Sequence, residues 1–119
     1  MKFLMLIKHT ESYRSQAIPQ GLMAAMGEFV TRSMNDGILK ETAGLKPTAE
    51  SFRVRSGGGK LIVMDGPFTE AKEVIGGYGI VEAASREQAL DFARQFMELH
   101  RVHWPAFEGE CEVRPIEDM

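Results

Sequence analysis

Between Asp65 and Glu73 the chain gathers side chains that can take a proton and hold a charge: the carboxylates Asp65, Glu70 and Glu73, and the ammonium of Lys72. A carboxylate beside a cation suits isomerase or lyase chemistry, in which one group abstracts a proton and another stabilises the charge that develops. Asp65 is the candidate base, Lys72 its electrostatic partner, and His103 a candidate acid that returns the proton. Charges that converge on a cleft also displace one another's pKa values. Asp65-Gly66-Pro67-Phe68 has a local account as well. Asp bonds nearby amides, Gly relaxes the limits on φ, and Pro fixes φ at a turn position. What favours chemistry is position, at the end of an apolar strand expected to be buried and just ahead of Glu70, Lys72 and Glu73.

Other candidates lie outside this run. Lys8 and His9 end the first apolar segment. Side chains at a sheet end can point into a pocket, where an imidazole exchanges protons near neutral pH; a solvated strand end is the plainer account. Phe68, Glu73, Tyr78 and Trp104 complete the candidate ligand contacts. His100 and His103 stand one helical turn apart and, joined by Asp65 or Glu108, would form a metal site of the two-histidine, one-carboxylate kind. The sequence fixes no third ligand, so no metal and no cofactor is assigned. Trp104-Pro105-Ala106-Phe107 either walls an apolar pocket or covers a core edge or a dimer seam. Gly57-Gly58-Gly59-Lys60 lacks the spacing of a phosphate loop and precedes a strand, so it is a hairpin turn. Cys111 is expected to face inward as a small buried hydrophobe, and Met23, Met26 and Met34 to fill the core.

The elements that must position these groups follow from hydrophobic periodicity. Residues 2–8 are apolar on both faces, the pattern of a strand buried on both sides. Leu22, Met26, Phe29 and Val30 recur at helical spacing between Gln20 and Asp36, and Gly37 supplies the stop. Ile38–Leu45 and Ser51–Arg55 are expected strands around the Lys46-Pro47-Thr48 turn, with Phe52 and Val54 inward and Arg53 and Arg55 outward. Lys60–Met64 is a continuous apolar strand, and Val74–Ala83 is a further one, loosened by Gly76, Gly77 and Gly79 for a bulge or a close approach. Ser85-Arg86-Glu87-Gln88 has the form of a capping box and opens a second helix to about Leu99. An aromatic loop from His100 to Gly109 leads to a closing strand, Glu110–Ile116. The order β-α-β-β-β-β-α-β describes an α+β fold: a ferredoxin-like antiparallel sheet with an added hairpin and both helices on one face. The uncovered face would be an unusually large apolar patch, so a homodimer packed through its sheet faces is expected.

At 119 residues, one domain over 1–119 is expected, with a core small enough that association would help it. The 44% hydrophobic and 26% charged content exclude a disordered or fibrous chain. A net charge of −3 without a basic field gives nucleic acid no surface. The opening apolar run is too short, and ends too soon in charge, for a signal peptide or membrane span, and one cysteine permits no internal disulfide. A reducing cytoplasm is the expected location.

Asp65-Gly66-Pro67-Phe68, followed by Glu70-Ala71-Lys72-Glu73 and the glycine-rich Gly76-Gly77-Tyr78-Gly79, resembles the signature of the DGPF, or YCII-related, domain family. Asp65 to Phe68 match the motif itself; Lys72, Glu73, Gly76 and Gly77 match the pattern that follows it. The likeness runs from the first strand to Glu112-Val113-Arg114-Pro115, although many similar sequences have a shorter connection than His100–Gly109. The resemblance implies a dimeric α+β barrel similar to that of muconolactone-type isomerases, and so a small-molecule ligand in a barrel pocket. It assigns no chemical role to any residue. Two functions fit: proton-transfer catalysis on a small molecule, or a non-catalytic dimer that binds a metabolite or protein, linked in some settings to sigma-factor regulation.

Overall fold

The computed structural model describes residues 1–12, 16–68 and 70–118. Along the chain come β1 (Lys2–His9), α1 (Gln20–Asn35), β2 (Leu39–Gly44), β3 (Phe52–Gly57), β4 (Lys60–Asp65), β5 (Val74–Glu82), α2 (Arg86–His103) and β6 (Gly109–Pro115). Four strands form one antiparallel sheet in the order β2-β5-β1-β6. With the β3–β4 hairpin set aside, this is the split βαβ arrangement of a ferredoxin-like fold.

Local chemistry explains where the helices begin and end. The Ser85 hydroxyl accepts from the Gln88 amide at 3.1 Å, and the Gln88 side-chain oxygen accepts from the Ala84 amide at 2.6 Å. This reciprocal pair fixes the start of α2. At the far end of α1, Gly37 turns the chain at φ 82°, a conformation open to glycine but costly for other residues.

The core lies between the two helices and one face of the sheet. Phe3 and Met5 of β1, Leu39 of β2 and Val81 of β5 pack beneath Phe29 and Phe92, whose rings are 4.9 Å apart. Strand alternation therefore sends Phe3, Met5, Ile7 and His9 toward the helices and Leu4, Leu6 and Lys8 to the opposite face.

Several expectations need correction. Phe52 and Val54 do not point inward: they are 68% and 57% exposed. The apolar strand Lys60–Met64 is not buried either, since Leu61 is 74% exposed. β3 and β4 pair only with each other, in a two-stranded sheet outside the main one. Alternation identifies an apolar face but cannot say what covers it. Leu4 and Leu6 are half-buried, so β1 is closed on the helix side alone. α2 runs a full turn beyond Leu99, taking His100 and His103 out of the expected loop. Met23 and Met34 are exposed on α1 and do not fill the core.

Candidate functional site

A cavity of about 540 Å³ opens between the helix-facing side of the sheet and α1, closed at one end by the last turn of α2 and the segment after it. Ile7, Leu22, Met26, Val30 and Phe96 make its walls apolar. Exposed Thr31 of α1 and Thr42 of the edge strand β2 also line it, so its mouth lies between those elements.

Two imidazoles give this space its chemistry. His9 is 7% exposed, and its Nδ1 lies 2.8 Å from the Thr10 carbonyl oxygen. A carbonyl only accepts, so Nδ1 carries the hydrogen and Nε2 presents a lone pair. Nε2 rests against the Cα of Gly76: a methyl group there would come within 1.9 Å of it. The sheet makes this approach possible through a bulge. Ile7 pairs with Gly77 and Lys8 with Ile75, leaving Gly76 as the extra residue. His100, also buried, donates from Nδ1 to the Phe96 carbonyl at 3.2 Å and stacks 4.9 Å from Phe107. Its burial pushes the pKa below the ordinary histidine value, outweighing the Phe96 carbonyl, which favours the charged form. Phe107 stands edge-on to His9 and lies 5.3 Å from Trp104, completing an aromatic end wall.

The predicted site residues other than His103 divide among three places. His9 and Trp104 line the cavity, and Tyr78 borders it from β5 while its side chain, like that of its register partner Leu6, lies on the helix-free face. The Tyr78 hydroxyl donates to Glu41, which raises the Tyr78 pKa. Lys8 lies on the opposite sheet face, 2.6 Å from Glu112 and 3.6 Å from Glu73. The hydrogen bond to Glu112 raises the Lys8 pKa, and the bonds from Lys8 and then Arg114 lower that of Glu112.

The third place is the Asp-Gly-Pro-Phe turn. Asp65 and Lys72 are exposed and do not line the cavity. The Gly66 amide donates to the Ser51 carbonyl at 2.8 Å, and the Phe68 amide donates to the Thr48 hydroxyl at 3.2 Å. Thr48 in turn donates its own amide to Glu11 at 3.1 Å. Phe68 is buried, with the Arg53 guanidinium 3.7 Å above its ring centroid and Glu70 3.4 Å from Arg53. The turn thus fastens the hairpin base to the segment after β1.

His103 is exposed beside Gly21 of α1, whereas His100 is buried in the cavity wall, so the two imidazoles do not converge. Among the described residues no cluster of three or more His, Cys, Asp or Glu side chains has the arrangement of a metal site. Cys111 is half-buried against the core as expected, and burial raises its thiol pKa to about 11. Sequence reasoning passed over His100, Phe107 and Gly76 as parts of one pocket. The available signal was Gly76 in its glycine-rich run, which marked a bulge or close approach without naming what approaches.

A family model for the YCII-related domain matches residues 1–119. The chain belongs to the YCII-related family. An uncharacterised protein from Rhizobium meliloti (strain 1021) is 41% identical over 80 residues, a match that covers 67% of this chain and 60% of that protein's length. The two helices and antiparallel sheets agree with the YCII-related assignment. No helix among the described residues is long and apolar enough to cross a membrane.

Proposed function

We propose that this YCII-related protein binds a small, largely apolar molecule in the cavity under α1 and acts on it by proton transfer, with His100 as the acid-base group. The observation that carries this reading is the fixed tautomer of a buried imidazole: His100 Nδ1 is held by the Phe96 carbonyl, and its Nε2 is left as a lone pair in the wall of an apolar space. A base oriented by a second group through its other ring nitrogen is the recurring arrangement of acid-base catalysis. Proton uptake at Nε2 leaves an imidazolium beside the anion it creates. The Phe96 carbonyl stabilises the imidazolium through Nδ1–H.

The test is solvent-deuterium exchange, followed by NMR, into a panel of small cyclic ketones and lactones. The native chain is expected to exchange a carbon-bound hydrogen of at least one compound, and His100→Gln to lose that exchange while keeping its circular dichroism. Binding without exchange in the native chain would overturn catalysis and leave a binding protein.

The assembly that accompanies this reading is a homodimer packed through the sheet faces into an α+β barrel. Half-buried Leu4, Leu6, Tyr78 and Ile80 on the helix-free side support it, as does the exposed apolar hairpin. Asp65-Gly66-Pro67-Phe68 supports placing the chain in the DGPF branch of the family.

A further inference from the structure

The cavity wall sets how acidic a hydrogen must be before it can be removed there. The base is a weak one. Burial disfavours the charged imidazole, so His100 takes up a proton less readily than a free imidazole does. His9 adds no second base, because its Nε2 rests against the Cα of Gly76. The described residues that line the space include no Lys or Arg, and the donors among them, such as the Thr31 hydroxyl and the Trp104 indole N–H, are neutral. An anion formed between Ile7, Leu22, Val30 and Phe96 is stripped of water and has those donors and the new imidazolium to stabilise it. A hydrogen beside a single carbonyl leaves an enolate with its charge on one oxygen, which calls for a stronger base or a fixed cation. A hydrogen between two carbonyls leaves a charge spread over two oxygens, within reach of a weak base and neutral donors.

We infer that the cavity acts on β-dicarbonyl compounds, small apolar molecules in which the hydrogen to be removed lies on the carbon between two carbonyl groups. The inference rests on the proton-transfer reading above and names the substrate class of that site. In the first step the C–H bond breaks, its proton passes to His100 Nε2, and its electron pair spreads over both carbonyls as an enolate. In the second step the Nε2–H proton goes to an enolate oxygen, giving the enol, or returns to carbon. The reaction is a tautomerisation and consumes no second reactant.

Two pairs of related rings test it: γ-butyrolactone against α-acetyl-γ-butyrolactone, and cyclopentanone against 2-acetylcyclopentanone. Exchange of the carbon-bound hydrogen for solvent deuterium is followed by NMR with the full chain, each rate divided by the rate in buffer alone. Both acetyl compounds are expected to exchange at least about a hundredfold faster than in buffer, the lower end for a positioned acid-base group. The two parent rings are expected to stay at the buffer rate. His100→Gln, checked for folding by circular dichroism, is expected to lose the acceleration. Parent rings accelerated as much as their acetyl derivatives would overturn the substrate class and leave proton transfer standing. Acceleration that survives in His100→Gln would overturn it too, by placing the base elsewhere. Acetyl compounds held at the buffer rate would also overturn it; the proton-transfer reading then stands if another ketone or lactone of the wider panel exchanges, and falls with it if none does.

Discussion

Burial sets the charge of His100, and stability should follow. The folded chain holds a proton on His100 less tightly than the unfolded chain does, because desolvation disfavours the imidazolium. Below the ordinary value of 6.5 the unfolded form takes up more protons. Stability therefore falls as pH drops through that region, and the loss stops growing once folded His100 is charged. Glu98 and Glu112, held below the ordinary 4.5 by hydrogen bonds from Arg101 and from Lys8 and Arg114, contribute only to losses at lower pH. Urea unfolding between about pH 7 and pH 5 should show a downward slope that His100→Phe flattens; an unchanged slope would assign it to other groups. Asp65 belongs to the same scale. As an exposed side chain outside the cavity, it should tolerate Asn with a stability change within about 0.5 kcal/mol and with unaltered hydrogen exchange into the small-molecule panel. Loss of activity in a folded Asp65→Asn protein would move the chemistry to the hairpin base. The sequence made Asp65 and Lys72 conspicuous because charge density is visible in one dimension. The setting of His9 depends on a carbonyl one residue away and a glycine across the sheet, and those relations exist only after pairing.

At the scale of elements, the Asp-Gly-Pro-Phe turn acts as a fastening. The carbonyl of Thr48 occupies the place where a Gly66 side chain would begin: a Cβ there would lie 1.7 Å from that oxygen. Gly66→Ala is expected to cost about 1–3 kcal/mol, the usual range for forcing an atom into packed structure. Thermal unfolding measures the cost, and amide exchange should locate it in the hairpin and the Thr48–Glu50 turn, sparing the four-stranded sheet. Uniform loss of protection would mean that the hairpin and sheet unfold as one unit. The order of elements was legible from alternation, glycine positions and the Ser85 cap. The hairpin's exposure was not, because Phe52, Val54, Leu61 and Val63 carry the same pattern whether a core or a second chain covers them.

The whole molecule measures 45 × 39 × 19 Å, and the thin dimension fits a sheet with helices on one side only. A helix-free face holding Leu4, Leu6 and Ile80, together with a hairpin whose Leu61 and Phe52 are among its most exposed apolar side chains, is more apolar surface than a solitary chain usually leaves in water. Sedimentation at micromolar concentration should therefore give a dimer, and Leu6→Glu should shift it to monomer with helical circular dichroism preserved. A monomeric native chain would sink the sheet-to-sheet assembly. The bulge at Gly76 gives one more consequence. Ile7 already faces Gly77, and Lys8 already faces Ile75, so deleting residue 76 would close the ladder without turning any neighbouring side chain to the other face. Evolution could trim that residue and keep the sheet, but the shortened strand would no longer offer the bare backbone on which the His9 ring now rests.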